Sequence, residues 1–271
     1  MKICIVTGSR ADLGLLHYPQ KLLQEDSYFE GQLMQLWGYS FEQAYVNAAG
    51  AFAAERPDMI LVLGDRFEIL AAVTAAHLQR IPIAHIGGGD VTEGSYDDAM
   101  RDAISRMSAL HFVTSFAAMA RLTSLGYRNV HLVGNPAVDY IRHADWRRPR
   151  PIEEPYVVVS YQPETIDDTV DLEAVNAAIK GRRAVWIKPN PDRGSERIPA
   201  EHDYSHDAFL TLLSYCDEFI GNSSAIFYEA PELGVKCRLI GKRQRGRVIP
   251  WGGDGKASER IRDVLRLWPS S

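Results

Sequence analysis

The sequence is poor in cysteine and has no cluster spaced to hold a metal. Its three cysteines, Cys4, Cys216 and Cys237, are scattered and odd in number, which excludes a disulfide framework and fits thiols in a reducing compartment. No His or Cys cluster has the spacing of a zinc site, so neither a metal nor another cofactor is expected. Long apolar runs are missing too. The chain opens on Lys2 and the short run 3–6 before Thr7-Gly8-Ser9-Arg10, too little for a signal peptide or a membrane span. A cytoplasmic protein with no membrane partner is expected. Positive charge is not in excess, and a net charge of −5 argues against a general nucleic-acid coat. There is no repeat, no low-complexity tract, no Walker A loop and no complete dinucleotide fingerprint.

What is present is an alternation. Apolar runs rich in Ile and Val (2–6, 59–64, 81–86, 110–114 and 129–134) are separated by longer amphipathic stretches. The runs are nearly continuous, as for parallel strands covered on both faces, and the stretches between them have helical spacing. This βαβ series predicts a doubly wound α/β sheet over 1–142. The segment HADWRRPRPIEEP, 143–155, is rich in proline and charge and reads as a linker. A shorter series then spans 156–271, with strands at 156–160, 183–188, 217–221 and 236–241. The closing helix, in ASERIRDVLRLW, belongs to this second domain or packs back on the first. Two Rossmann-like halves of this kind usually bind ligands in a cleft between them.

Six stretches carry candidate chemistry. TGSRADLGLL follows the first strand and offers a helix N-terminus with Arg10 beside it. In GDRFE, Asp65 lies at the carboxyl end of an aliphatic strand, where helix capping and catalysis fit equally well. HIGGGDVTEG is more specific: three glycines let the backbone approach a ligand, and Asp90, Glu93, Asp97 and Asp98 crowd together before Arg101. His85 within it reads as a structural histidine. GNSSAIFYEAP puts Ser223 and Ser224 at a helix start, suited to phosphate, with Glu229 further along for a ribose. GKRQRGR, ending at Arg247, adds four basic side chains. The strand-to-turn stretch YVVVSYQPET places Gln162, which hydrogen-bonds but carries no proton, at a strand end.

In this order the motifs resemble the UDP-N-acetylglucosamine 2-epimerase family, especially its hydrolysing branch. The resemblance is carried by TGSRADLGLL, VLGDRFE, the TEG…DDAMRDAISRMSALHF run, VGNPAVD, IKPNPD, GNSSAIFYEAPELG and GKRQRGR, which span nearly the whole chain. It implies the GT-B architecture, with a nucleotide sugar between two Rossmann-like domains, no metal and often a homodimer. Ser223, Ser224, Glu229 and Arg247 then hold UDP, Arg10 and Arg66 face the sugar and diphosphate, and Asn190 and Gln162 lie near the substrate. Asp65, Asp90, Asp97 and Arg101 are the implied catalytic group.

The departures fall on the reacting positions. Where the family commonly has HIHGGE this chain has HIGGGD, with Gly87 and Asp90. Asp102 follows Arg101 in place of a histidine, and Gln162 stands where the family has another histidine. The family reaction removes the C2 proton as UDP leaves and then adds water, which needs groups that exchange protons. Three readings follow. One is a UDP-sugar 2-epimerase working through Asp65 and Asp90. Another is a GT-B glycosyltransferase using a UDP-sugar donor on an acceptor hydroxyl, such as hydroxymethylated phage DNA. The third is a non-catalytic nucleotide-sugar binder.

Overall fold

In a computed structural model, which describes residues 1–167, 170–190, 192–200, 202–251 and 253–269 and only the backbone at 10 and 11, every apolar run named above becomes a parallel strand. The chain divides into two units. Met1–Asp90, Asp97–Arg142 and Pro250–Ser271 form the first; Val91–Tyr96 and His143–Ile249 form the second. The closing segment from Pro250 on therefore belongs to the first unit, and six residues after the glycine loop belong to the second.

The first unit runs β1 (Lys2–Thr7), α1 (Arg10–Glu25), β2 (Glu30–Gln35), α2 (Phe41–Glu55), β3 (Met59–Leu63), α3 (Phe67–Leu78), β4 (Ile83–Ile86), α4 (Asp97–Met107), β5 (Leu110–Val113), α5 (Phe116–Ser124), β6 (Val130–Leu132) and α6 (Pro136–His143). Its parallel sheet has the order β2-β1-β3-β4-β5-β6. Side chains alternate across β1, so Cys4 and Val6 pack on α2 and α3 while Ile3 and Ile5 pack with Leu16 and Leu23 of α1. Both faces are covered, which is why the strand reads as an unbroken apolar run. β2 and α2 had no clear signal in the sequence reading. β2 is an edge strand of sequence EGQLMQ and buries none of its residues fully, so it lacks the apolar run of its neighbours.

The second unit contains β7 (Val157–Ser160), α7 (Leu172–Ile179), β8 (Ala184–Trp186), α8 (His206–Tyr215), β9 (Glu218–Gly221), α9 (Ala225–Tyr228) and β10 (Cys237–Leu239), with sheet order β10-β9-β7-β8, all parallel. Gly221 has φ +140°, and a Cβ there would stand 2.0 Å from the Ser160 carbonyl oxygen, so no other residue fits where β9 leaves the sheet beside β7. The linker is not loose along its length, because Trp146 is buried and its carbonyl accepts from Thr211 Oγ1 at 3.2 Å.

The last helix, α10 (Ala257–Leu267), returns to the first unit, where Ile261 and Leu265 join the cluster under α1. The ammonium side chain of Lys256 at its N-cap cannot accept hydrogen bonds. The buried Asp139 carboxylate of α6 does so instead, taking the Ala257 N–H at 3.1 Å and the Ser258 N–H on its other oxygen. No helix among the described residues is long and apolar enough to cross a membrane.

Candidate active site

Parallel strands point all their carboxyl ends one way, so the loops after β1, β3, β4 and β5 gather at one edge of the first sheet. Arg101 of α4 is the centre of that group. It is 1% exposed, and its guanidinium donates to the carboxylates of Asp65 and Asp98 and, at 2.9 Å, to the backbone carbonyl of Asp90. Burial works against its charge, but the Asp65 and Asp98 carboxylates outweigh burial and leave its pKa above the ordinary value. Arg121 of α5 reaches the same Asp90 carbonyl at 3.2 Å and pairs with Asp102 at 2.9 Å. Asp102 thus anchors the arginine that supports Asp90. The Asp90 carboxylate accepts from Thr114 Oγ1 at 3.3 Å.

At two of its three glycines the loop packs against the protein itself. Gly89 has φ +81°, and a Cβ on it would lie 2.7 Å from the Ala118 carbonyl of α5. There the close approach is to the protein's own backbone, so position 89 lacks a side chain in order to pack on α5. The acidic cluster is also divided. Asp90 and Asp98 join Arg101 in the first unit, and Asp97 opens α4. Glu93 lies in the second unit, paired with Arg245 at 2.8 Å.

Asp12 is a residue the sequence reading passed over. It is buried in the first turn of α1, where its carboxylate accepts the Gly8 N–H at 3.0 Å and its own N–H donates to Ser9 Oγ at 3.2 Å. Burial pushes its pKa up to about 6 against the nearby Arg66 guanidinium. The Ser9-x-x-Asp12 spacing, a capping-box pattern, was the available signal. Arg66 itself is held by the buried Glu68 in two hydrogen bonds of 3.1 Å. Arg10 begins α1, but its side chain lies outside the described residues.

In the second unit the strand-end loops are held by amides. The Asn222 side chain takes the Gln162 N–H at 2.6 Å and donates to the Gln162 carbonyl at 2.8 Å, imitating a strand pairing. Gln162 Oε1 in turn accepts the Asn190 N–H at 2.9 Å, and Gln244 Nε2 donates to the Asn222 carbonyl at 2.9 Å. Backbone groups fix every one of these amide orientations. Gln162 and Asn190 are therefore brought together, with Gln162 tying the end of β7 to the loop after β8.

The serine–glutamate motif departs from expectation in shape. The helix expected to start at Ser223 and Ser224 is only the four residues of α9, because Pro231 disfavours helical backbone at Ala230 and supplies no N–H. Glu229 stands at its end rather than further along it, buried and 3.7 Å from His206 Nε2. A helix this short has little dipole to offer a phosphate. Ser223 Oγ accepts the Ala225 N–H at 3.3 Å, while Ser224 is exposed and makes no cap bond. Nor do all four basic residues of GKRQRGR face solvent. Arg243 is buried against the Pro163 carbonyl at 2.6 Å, whereas Arg247 stacks over Tyr228 with 5.5 Å to the ring centre. Among the described residues no group of three or more His, Cys, Asp or Glu could hold a metal ion.

A family model described as UDP-N-acetylglucosamine 2-epimerase matches residues 12–252. The chain belongs to that family. It is 27% identical over 240 residues to the GDP/UDP-N,N'-diacetylbacillosamine 2-epimerase (hydrolyzing) of Campylobacter jejuni, a match covering 77% of this chain and 62% of that protein, just under two thirds of its length. It is 30% identical over 314 residues to the polysialic acid biosynthesis protein P7 of Escherichia coli, covering 91% of this chain and 80% of that one. Its fold matches the Methanocaldococcus jannaschii UDP-GlcNAc 2-epimerase solved with UDP-GlcNAc and UDP, at a TM-score of 0.83 and 16% identity over 99% of this chain and 100% of that chain. The architecture of the family, two Rossmann-like units in the GT-B manner, is the architecture of this chain.

Proposed function

We propose that this chain acts on a UDP-linked 2-acetamido sugar as a hydrolysing 2-epimerase, with UDP as the leaving group. Family membership supports the substrate class. The single observation that carries the chemistry is the pair Asp65 and Asp90, just beyond the neighbouring strands β3 and β4: Arg101 binds the Asp65 carboxylate and the Asp90 backbone carbonyl, and Thr114 Oγ1 donates to the Asp90 carboxylate. Two carboxylates so fixed suit proton removal and return at one carbon. One takes the C2 proton while the C1–O bond to UDP breaks, leaving a C1=C2 double bond. Water then adds its hydroxyl to C1, and a proton returns to C2 on the opposite face. The net reaction consumes one water and gives free 2-epimer and UDP. Arg101 is buried and donates to Asp65, Asp98 and the Asp90 carbonyl, so its part is to hold the Asp65 carboxylate and the Asp90 backbone rather than to touch the sugar. Nucleotide binding is assigned to Ser223, Ser224, Glu229 and Arg247 on family grounds, with no cofactor required.

Gln162 favours a second reading, transfer of the sugar to an acceptor hydroxyl. Its side-chain carbonyl is committed to Asn190 and nothing in it titrates. Incubation with UDP-GlcNAc, UDP-N,N'-diacetylbacillosamine and UDP-glucose, with and without sugar or hydroxymethylated DNA acceptors, separates the readings by NMR. UDP and a free 2-epimer without acceptor are expected. Asp65→Asn and Asp90→Asn should each lower the rate by about a hundredfold or more. UDP release that needs an acceptor would replace the epimerase with a transferase, and binding without turnover would leave a nucleotide-sugar binder.

A further inference from the structure

His85 takes no part in the chemistry above, yet its bonds lead straight to it. It lies in β4 with no exposed surface, its Nε2 2.8 Å from the Gly64 carbonyl oxygen and its Nδ1 3.0 Å from Ser105 Oγ. A carbonyl can only accept, so Nε2 carries the proton and Nδ1 accepts from the Ser105 hydroxyl. Burial, which pushes the His85 pKa down to about 4, keeps the ring neutral and this tautomer intact near pH 7. The arrangement is tightly built. A Cβ on Gly88 would stand 2.7 Å from Ser105 Oγ and 3.1 Å from His85 Nδ1, so the ring and hydroxyl occupy the space a side chain at 88 would need.

The two partners of His85 are adjacent in the chain to the two partners of the central ion pair. Gly64 directly precedes Asp65. Ser105 is one helical turn beyond Arg101 on the same face of α4. The bonds close a circuit: from Asp65 to Arg101, along α4 to Ser105, through the imidazole to Gly64, and back to Asp65. The ion pair alone fixes one atom pair. The second bridge fixes the turn that carries Asp65 as well, so the carboxylate cannot swing with the loop after β3.

We propose that His85 is a positioning residue for the reaction: with Ser105 it locks the Gly64–Asp65 turn to α4, so that Asp65 and Arg101 meet in one geometry. The proposal deepens the epimerase reading, since it takes Asp65 as a reacting group. Leucine at 85 fills the space without bridging, while glutamine donates to Gly64 through its NH2 and accepts from Ser105 through its carbonyl. His85→Leu is therefore expected to lower kcat for UDP release about a hundredfold, the loss typical of an ångström-scale misplacement, with the Kd for UDP changed less than about threefold. His85→Gln recovers most of that loss. Ser105→Ala, which leaves the imidazole in place, lowers kcat by about tenfold.

Amide hydrogen exchange supplies a readout that needs no turnover. Exchange at 64–66 and 101–105 speeds up in His85→Leu and Ser105→Ala and stays near wild type in His85→Gln. If Ser105→Ala keeps wild-type kcat and exchange, or if folded His85→Gln is as impaired as His85→Leu, the lock is overturned. A wild-type protein that releases no UDP would overturn the epimerase reading alone, and the exchange comparison would still decide the lock. Should His85→Leu fail to fold, the serine and glutamine variants decide it.

Discussion

The two sheets hold their strand-end loops by opposite means. At the first, a buried guanidinium gathers two carboxylates and a carbonyl around Asp65 and Asp90. At the second, the amides of Gln162, Asn222 and Gln244 bind one another's backbones and the Asn190 N–H. The charged arrangement carries a large desolvation cost, offset only while every partner is present. The neutral one is made of bonds worth about 1 kcal/mol each, with no charge to strand. The contrast matches the division of labour proposed above. Groups that exchange protons belong to the charged cluster, while the amide ladder keeps a fixed shape at any pH.

The largest effect is expected from removing the centre of the charged cluster. Arg101→Met removes the buried counter-ion shared by Asp65 and Asp98, whose side chains are 21% and 26% exposed, so the loss is expected just below the ~3–5 kcal/mol of stranding a fully buried charge. Denaturant unfolding of the variant should show that loss, and UDP release should be undetectable. A variant as stable as wild type would mean that solvent, not Arg101, balances these carboxylates.

The next effect separates the units by pH. His85 and His111 are buried neutral, and burial holds both near a pKa of about 4 against an ordinary 6.5. As pH falls below 6.5 the unfolded chain takes up protons that the folded chain refuses, so stability is lost between about 6.5 and 4, by about 3 kcal/mol for each histidine. Asp12 works the other way. Its folded value of about 6 exceeds the ordinary 3.8, so the folded chain protonates first and regains about 3 kcal/mol over the same range. Urea unfolding at pH 7 and pH 4 should show His111→Phe losing about 3 kcal/mol less than wild type and Asp12→Asn about 3 kcal/mol more. Unchanged pH dependence in His111→Phe would show that the ring protonates freely in the folded state.

These couplings mark where sequence reading stops. The strands were legible because burial on both faces writes itself as an apolar run, and β2 was not, because an edge strand needs no such run. Asp90 and Arg101 were legible together because α4 follows the glycine loop at short range, whereas Asp65, thirty-six residues before Arg101, joined them only through the family resemblance. The role of Arg121, thirty-one residues from Asp90, left no local trace, and neither did the division of Glu93 from its acidic neighbours. The glycine triplet was legible as a constraint, but the packing of Gly89 on α5 was not, since Ala118 lies on a helix far along the chain. The serine motif misled for a local reason: Pro231 ends α9 after four residues.

The smallest effect tests the neutral side. Gln162→Ala removes the acceptor of the Asn190 N–H, a half-buried bond worth about 1 kcal/mol, with up to about 2 if the N–H finds no water. Gln162→Glu keeps an oxygen in the same place and should leave stability near wild type at pH 7. Because none of the ladder's own groups titrates, the cost of Gln162→Ala should be the same at pH 4 as at pH 7, whereas the costs of His111→Phe and Asp12→Asn change between the two. A pH-dependent cost at Gln162 would mean that a titrating neighbour shares the bond, and the distinction between a charged and a neutral strand end would fail there. Pairing Gln162→His with Asp90→Glu then asks whether a titratable ring at this strand end adds to the rate. Faster UDP release than in either single variant is expected if the amide is the limiting departure from the family.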